Sequence, residues 1–141
     1  MVRYGVVGCG AAGQSHMAGI ASVPEARMVA AADTDPAALR SAGERFGIEH
    51  LYQDYEEMLE REALDAVAVI TPGSVHHPVV MAAARRGVHV ICEKPIATDL
   101  DHAREMVAAM EASGRLFAIT FTYRFVADTR YIKDALSSGA I

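Results

Sequence analysis

The segment Gly8-Cys9-Gly10-Ala11-Ala12-Gly13 follows Tyr4–Val7, a run of β-formers, and opens Ala11–Val23, a helix-length stretch stopped by Pro24. A G-x-G-x-x-G sequence set between a strand and a helix leaves the backbone few options. The spacing suits Gly8 to a tight turn, Gly10 to close approach of a ligand to bare backbone, and Gly13 to close packing of helix on strand. The helix that starts there offers free N–H groups and the positive end of its dipole, which together favour an anion.

Strand-length apolar runs recur along the chain, separated by helical segments. Arg27–Ala32, Ala66–Ile70, Val88–Cys92 and Leu116–Thr122 read as further strands. Asp35 followed by Pro36 predicts the N-cap and first turn of a helix reaching Phe46, with Gly47 as its stop. Asp54 to Glu57 has capping-box spacing and predicts a short helix, while Pro78–Arg86, Asp99–Ser113 and Asp128–Ser138 predict three more. Strands alternating with helices imply parallel pairing through right-handed crossovers, and strands apolar throughout fit a sheet covered on both faces. The expected fold is α/β, a doubly wound parallel sheet of the Rossmann type in the order 3-2-1-4-5-6.

Asp33 ends the second strand, 20 residues after Gly13. A carboxylate there can accept hydrogen bonds from both ribose hydroxyls of an adenosine, so loop, helix and acid together imply dinucleotide binding. Asp33 would repel a 2′-phosphate and no Arg follows it immediately, so NAD is expected, with NADP left open. The chain has two lysines, Lys94 and Lys133, and the residues four before them are Val90 and Thr129. The Tyr-x-x-x-Lys pair of short-chain dehydrogenases is therefore absent.

The formal net charge is −5 and no block of Lys or Arg forms a phosphate-binding stripe, which argues against a nucleic-acid partner. The longest strongly apolar stretch, Val79–Ala84, falls well short of the ~18 residues of a membrane span. Met1–Gly10 reads as strand and turn rather than as a signal peptide, so a cytoplasmic location with no membrane partner is expected. Cys9 and Cys92 form no C-x-x-C pair and the six His are scattered, so no metal site is indicated. In the expected strand order the two cysteines stand ~10 Å apart, beyond the ~7 Å that a disulfide spans, and both are expected to be free thiols.

Two further segments carry chemistry. Thr71-Pro72-Gly73-Ser74-Val75-His76-His77 follows the third of these strands and Glu93-Lys94-Pro95 the next. Ligands of open parallel sheets sit beyond the carboxyl ends of the strands, so both segments fall on the same rim as the glycine loop. Lys94 is a positive donor suited to proton transfer or to polarising a hydroxyl beside a nicotinamide.

The loop G-C-G-A-A-G, Asp33 in A-A-D-T-D-P, T-P-G-S-V-H, and then G-V-H-V-I-C-E-K-P-I-A resemble the glucose–fructose oxidoreductase/inositol dehydrogenase (Gfo/Idh/MocA-type) family. Tyr123-Arg124-Phe125 and the helix after it resemble the family's passage into its second domain. The resemblance implies hydride transfer between nicotinamide and a secondary alcohol of a sugar, cyclitol or related polyol. It assigns Gly8, Cys9, Gly10, Ala11, Ala12 and Gly13 to the pyrophosphate loop and Asp33 to the adenosine ribose. Thr71, Pro72 and His76 would match the loop lying along the cofactor, with His76 open to a structural as well as a functional role, and Glu93 would border the nicotinamide ribose. Lys94 would be the catalytic lysine, Pro95 would follow a cis bond, and Arg124 would face the substrate cleft or hold the domain junction. His77 has no counterpart and reads as a surface or helix-start imidazole.

Family members are typically more than twice as long, and their second domain supplies a D-x-x-x-H pair. No His here has Asp four residues before it. The expected organisation is a nucleotide-binding domain over residues 1–122 and the start of a linker or second domain over 123–141. Such a chain is expected to bind dinucleotide and to turn over polyols weakly or not at all. The other readings are a non-catalytic NAD(H)-sensing module and a partner subunit. Apolar surface at the junction predicts a homo-oligomer.

Overall fold

The computed structural model describes all residues, 1–141. The elements run β1 (Val2–Val7), α1 (Ala11–Ala21), β2 (Ala26–Ala32), α2 (Pro36–Phe46), β3 (His50–Tyr52), α3 (Tyr55–Arg61), β4 (Ala66–Val69), α4 (Gly73–Arg85), β5 (His89–Cys92), α5 (Leu100–Ala112), β6 (Phe117–Ile119) and α6 (Ala127–Ser138). A 3-10 turn, Thr122–Phe125, precedes α6. The six strands form one parallel sheet in the order β3-β2-β1-β4-β5-β6, the doubly wound arrangement expected.

The strands are apolar throughout because both faces are covered. Val6, Ala31 and Ala68 point to the layer of α1 and α2, where they meet Met17, Leu39, Ala42 and Ile48. Val7, Ala30, Ala32, Val67, Val69, Val90 and Cys92 face the other layer, with Met58, Val79, Val80, Ala83, Met106 and Met110. Met106 and Met110 are one helical turn apart on α5, and their full burial is worth about 1.5–3 kcal/mol each. Local signals set the helix ends. The side chains of Asp35, Asp54 and Asp99 accept from the N–H groups of Ala37, Glu56 and His102, each at 2.8 Å.

The structure departs from the sequence expectation in three places. β3 has no apolar run, since it is a three-residue edge strand with His50 and Leu51 exposed, and pairing with β2 alone defines it. Helix α4 starts at Gly73 rather than Pro78, and the proline rides in the second turn, where only the bond to the Ser74 carbonyl is lost. Strand β6 ends at Ile119, three residues before the expected Thr122, because the chain turns there into bonds from Phe121 N–H to Ile119 O and from Thr122 N–H to Thr120 O. Cys9, in the loop just after β1, and Cys92, at the end of β5, are free and buried, with β4 between those strands.

Candidate functional site

The strand ends form a straight edge. Pairing registers Tyr52, Ala32, Val7, Val69, Cys92 and Ile119 in one row across the sheet. The backbone ladder continues one residue further, with Asp33 N–H on Tyr52 O, Gly8 N–H on Ala32 O, Ile70 N–H on Val7 O, Glu93 N–H on Val69 O and Thr120 N–H on Cys92 O, all at 2.7–3.1 Å. The loops that carry Gln53, Asp33, Gly8, Thr71 and Glu93 therefore leave the sheet at one level. β1 and β4, where the strand order reverses, sit at the middle of this rim.

The functional stretch of the rim runs from β2 to β5, and the glycine loop belongs to its first end. Gly8 has φ +100°, and a Cβ there would run into the backbone of Ile70, whose carbonyl carbon would be 2.7 Å away. A Cβ on Gly13 would strike the Gly8 carbonyl, so α1 can lie this close to β1 only with glycine at that position. Gly10 differs. It caps α1 with φ −65°, no protein atom lies within 4 Å of where its Cβ would be, and no side chain caps the first turn of α1. Ala11 and Ala12 are exposed beside it. Bare amides facing open space at a helix N-terminus fit the pyrophosphate of a dinucleotide.

Asp33 is half-buried and already engaged. Its carboxylate accepts the Cys9 N–H at 2.6 Å and the Asp35 N–H at 2.8 Å. Each oxygen keeps a free lone-pair direction for a ribose hydroxyl. The Cys9 N–H is thus committed to Asp33. Its thiol points into the core, 3.8 Å from the Ala32 carbonyl, and burial with the Asp33 charge pushes it up to about 12. A cleft of about 410 Å³ opens between these groups and β4, lined by Gly8, Gly10, Asp33, Thr71 and Pro72. The sequence reading gave no site role to the other lining residues, among them Thr34, Gln53, Tyr55 and Val75. Thr34 follows Asp33 directly and could have been inferred, whereas Gln53 and Tyr55 arrive through the unrecognised strand β3.

The other end is built from the β4 and β5 loops. His76 is fully buried, with Nε2 2.8 Å from the Thr71 carbonyl and Nδ1 2.9 Å from the Pro95 carbonyl. With no exposed surface, it fills the structural one of the two roles the sequence left open. It is a strut between the two loops, and a neutral ring donates to one of those carbonyls at a time. Pro95 follows a cis bond and comes close to the start of α4, its Cγ 3.5 Å from where a Gly73 Cβ would be. Glu93 accepts the His16 Nε2–H at 2.9 Å and the Lys94 N–H at 2.8 Å. Burial alone would raise the Glu93 carboxyl, but the neighbouring His16 and Thr120 side chains and the Lys94 N–H together outweigh it and hold it below its ordinary value of 4.5. Lys94 is exposed and forms no ion pair. Nothing in the sequence drew attention to His16, which is distant from Glu93 along the chain.

Two predicted residues stand apart from these bonds. Arg124 is exposed in the 3-10 turn, its guanidinium 5.9 Å from the centre of the Phe121 ring. His77 stacks on His102 at 4.1 Å and bonds Glu105 on the outer face of α4 and α5.

Residues 2–121 match a family model described as an oxidoreductase family with an NAD-binding Rossmann fold. D-apiose dehydrogenase of Paraburkholderia graminis is 39% identical over 136 residues, which is 96% of this chain and 36% of that protein. Inositol 2-dehydrogenase of Ralstonia nicotianae is 34% identical over 143 residues, covering 99% of this chain and 42% of that one. The crystal structure of scyllo-inositol dehydrogenase from Lactobacillus casei, with bound NAD(H) and scyllo-inositol, matches with a TM-score of 0.95 at 30% identity, over 100% of this chain and 42% of the other. The chain spans about two-fifths of the length of these relatives.

Proposed function

The chain belongs to the Gfo/Idh/MocA oxidoreductase family, with its NAD-binding Rossmann fold, and from that premise we propose that its rim holds NAD(H) for hydride exchange with a secondary alcohol of a sugar, cyclitol or related polyol. The observation that carries the reading is Asp33, pinned by two backbone N–H groups beside the open amides at Gly10. The free lone pairs of Asp33 take the adenosine ribose hydroxyls, and its charge disfavours a 2′-phosphate. The first-turn amides of α1 take the pyrophosphate. Thr71 and Pro72 line the cleft beneath, and Glu93 borders the second ribose.

When bound, the nicotinamide supplies the hydride donor or acceptor. Lys94 is the residue proposed to touch the substrate, with Nζ donating to its oxygen or receiving its proton. No helix of the chain is long and apolar enough to cross a membrane. Residues 1–122 form the nucleotide-binding unit of this proposal. The exposed segment 123–141, with Arg124, belongs to a junction with further structure, as the exposure of Tyr123, Phe125, Tyr131 and Leu136 supports. On this reading the chain binds dinucleotide but turns over polyols slowly if at all.

Titration of the protein with NADH and NADPH, followed by nicotinamide fluorescence, tests the reading. Saturable binding of NADH, at least about tenfold tighter than NADPH, is expected, a gap of 1.4 kcal/mol. Failure of both to bind overturns it.

A further inference from the structure

Lys94 has a long, exposed side chain, so its placement depends on how firmly its backbone is held. The carbonyl that follows it, on Pro95, meets His76. Its own N–H is taken by the carboxylate of the residue before it, Glu93, through Oε2. A carboxylate on a flexible stem is a poor anchor unless something fixes it in turn. His16 does so, since Nε2–H donates to Glu93 Oε1 at 2.9 Å, and the two side chains are only 20% and 18% exposed. His16 stands on α1, one turn beyond Gly13, on the helix whose N-terminus carries the open amides. One short chain of bonds thus runs from α1 through Glu93 to the Lys94 backbone.

We propose that His16 is a positioning residue for Lys94, acting through Glu93 and setting the lysine in register with the helix that receives the pyrophosphate. The inference rests on the function proposed above for the role of Lys94, but not for the bonds themselves. Without the His16 bond, Glu93 Oε1 loses its partner in a mostly buried place and the carboxylate turns toward water, releasing the Lys94 N–H.

The test is an NMR comparison of wild type, His16→Ala, His16→Gln and Glu93→Gln, with the lysines carrying 13C-methyl labels. The chain has only two lysines, so Lys133 serves as an internal reference. In His16→Ala the Lys94 amide proton should move upfield and its methyl signal should shift, with Lys133 unmoved. His16→Gln, which keeps a side-chain N–H at similar reach, should restore both signals, and Glu93→Gln should move the Lys94 amide as His16→Ala does. A Lys94 amide that ignores His16→Ala, or that responds equally to Ala and Gln, overturns the proposal. If His16→Ala does not fold, the contrast between His16→Gln and Glu93→Gln decides it alone. Wild-type protein that fails to bind NADH refutes the nucleotide reading separately, and the amide shifts still decide the role of His16.

Discussion

The two ends of the rim are built differently. The glycine-loop end is made of backbone: a helix N-terminus, two glycines that no other residue could replace, and a carboxylate held by neighbouring N–H groups. The β4–β5 end is made of side chains reaching across the fold, with His76 bridging Thr71 to Pro95 and His16 bridging α1 to Glu93. Backbone sites tolerate change at exposed side chains and fail at the glycines. Side-chain sites lose function by degrees, one bond at a time.

The harshest test of that contrast is Gly13→Val. Its Cβ would strike the Gly8 carbonyl, so α1 must move, and a loss of about 3 kcal/mol in thermal or denaturant unfolding is expected, with no measurable NADH binding. Asp33→Ala comes next. It strands the Cys9 and Asp35 N–H groups and removes the ribose acceptor, and NADH affinity should fall by about 2–3 kcal/mol, or 30- to 150-fold, in a fluorescence titration. If Asp33→Ala leaves NADH binding intact, the backbone end is not what recognises the nucleotide.

At the other end the expected effects are smaller. Glu93 lies below its ordinary value of 4.5, where burial tends to raise it but His16, Thr120 and the Lys94 N–H together prevail. A depressed carboxyl stabilises the fold above that value, and the contribution is lost as pH falls through the folded-state pKa. Glu93→Gln should therefore flatten the decline of Tm as pH falls below 4.5, and an unchanged profile would show the pair contributes nothing. Lys94→Ala should leave NADH affinity within a factor of about two, since the exposed ammonium makes no ion pair, while abolishing polyol-dependent NAD reduction in any form of the protein that shows it. The mildest contrast concerns the thiols, one beneath each end. Burial pushes Cys9 and Cys92 up to about 12, so both should resist thiol reagents near pH 8 in the native state and react in denaturant.

The backbone end was legible in advance because its chemistry is local in the chain. Gly8, Gly10 and Gly13 lie within six residues, and Asp33 closes the next strand, so spacing alone carries the geometry. Helix caps at Asp35 and Asp54 were legible for the same reason. What stayed hidden depends on distant partners. Strand β3 has no pattern of its own, so Gln53 and Tyr55 reached the cleft unannounced. The sequence left His76 open between a structural and a functional role, and only the folded chain, which buries its ring between the Thr71 and Pro95 carbonyls, decides for the first.

The α6 segment shows the limit in another way. Its amphipathic sequence and Gly139 suffice to make a helix, but none of its residues is buried. The order of strands and helices, the phosphate-ready loop and the acid after the second strand follow from residues close together in the chain, because hydrogen-bond periodicity and glycine sterics act at short range. The level rim, the His16–Glu93–Lys94 chain and the inward turn of His76 exist only once the sheet has aligned its strand ends, because each joins groups that nothing in the local sequence brings together.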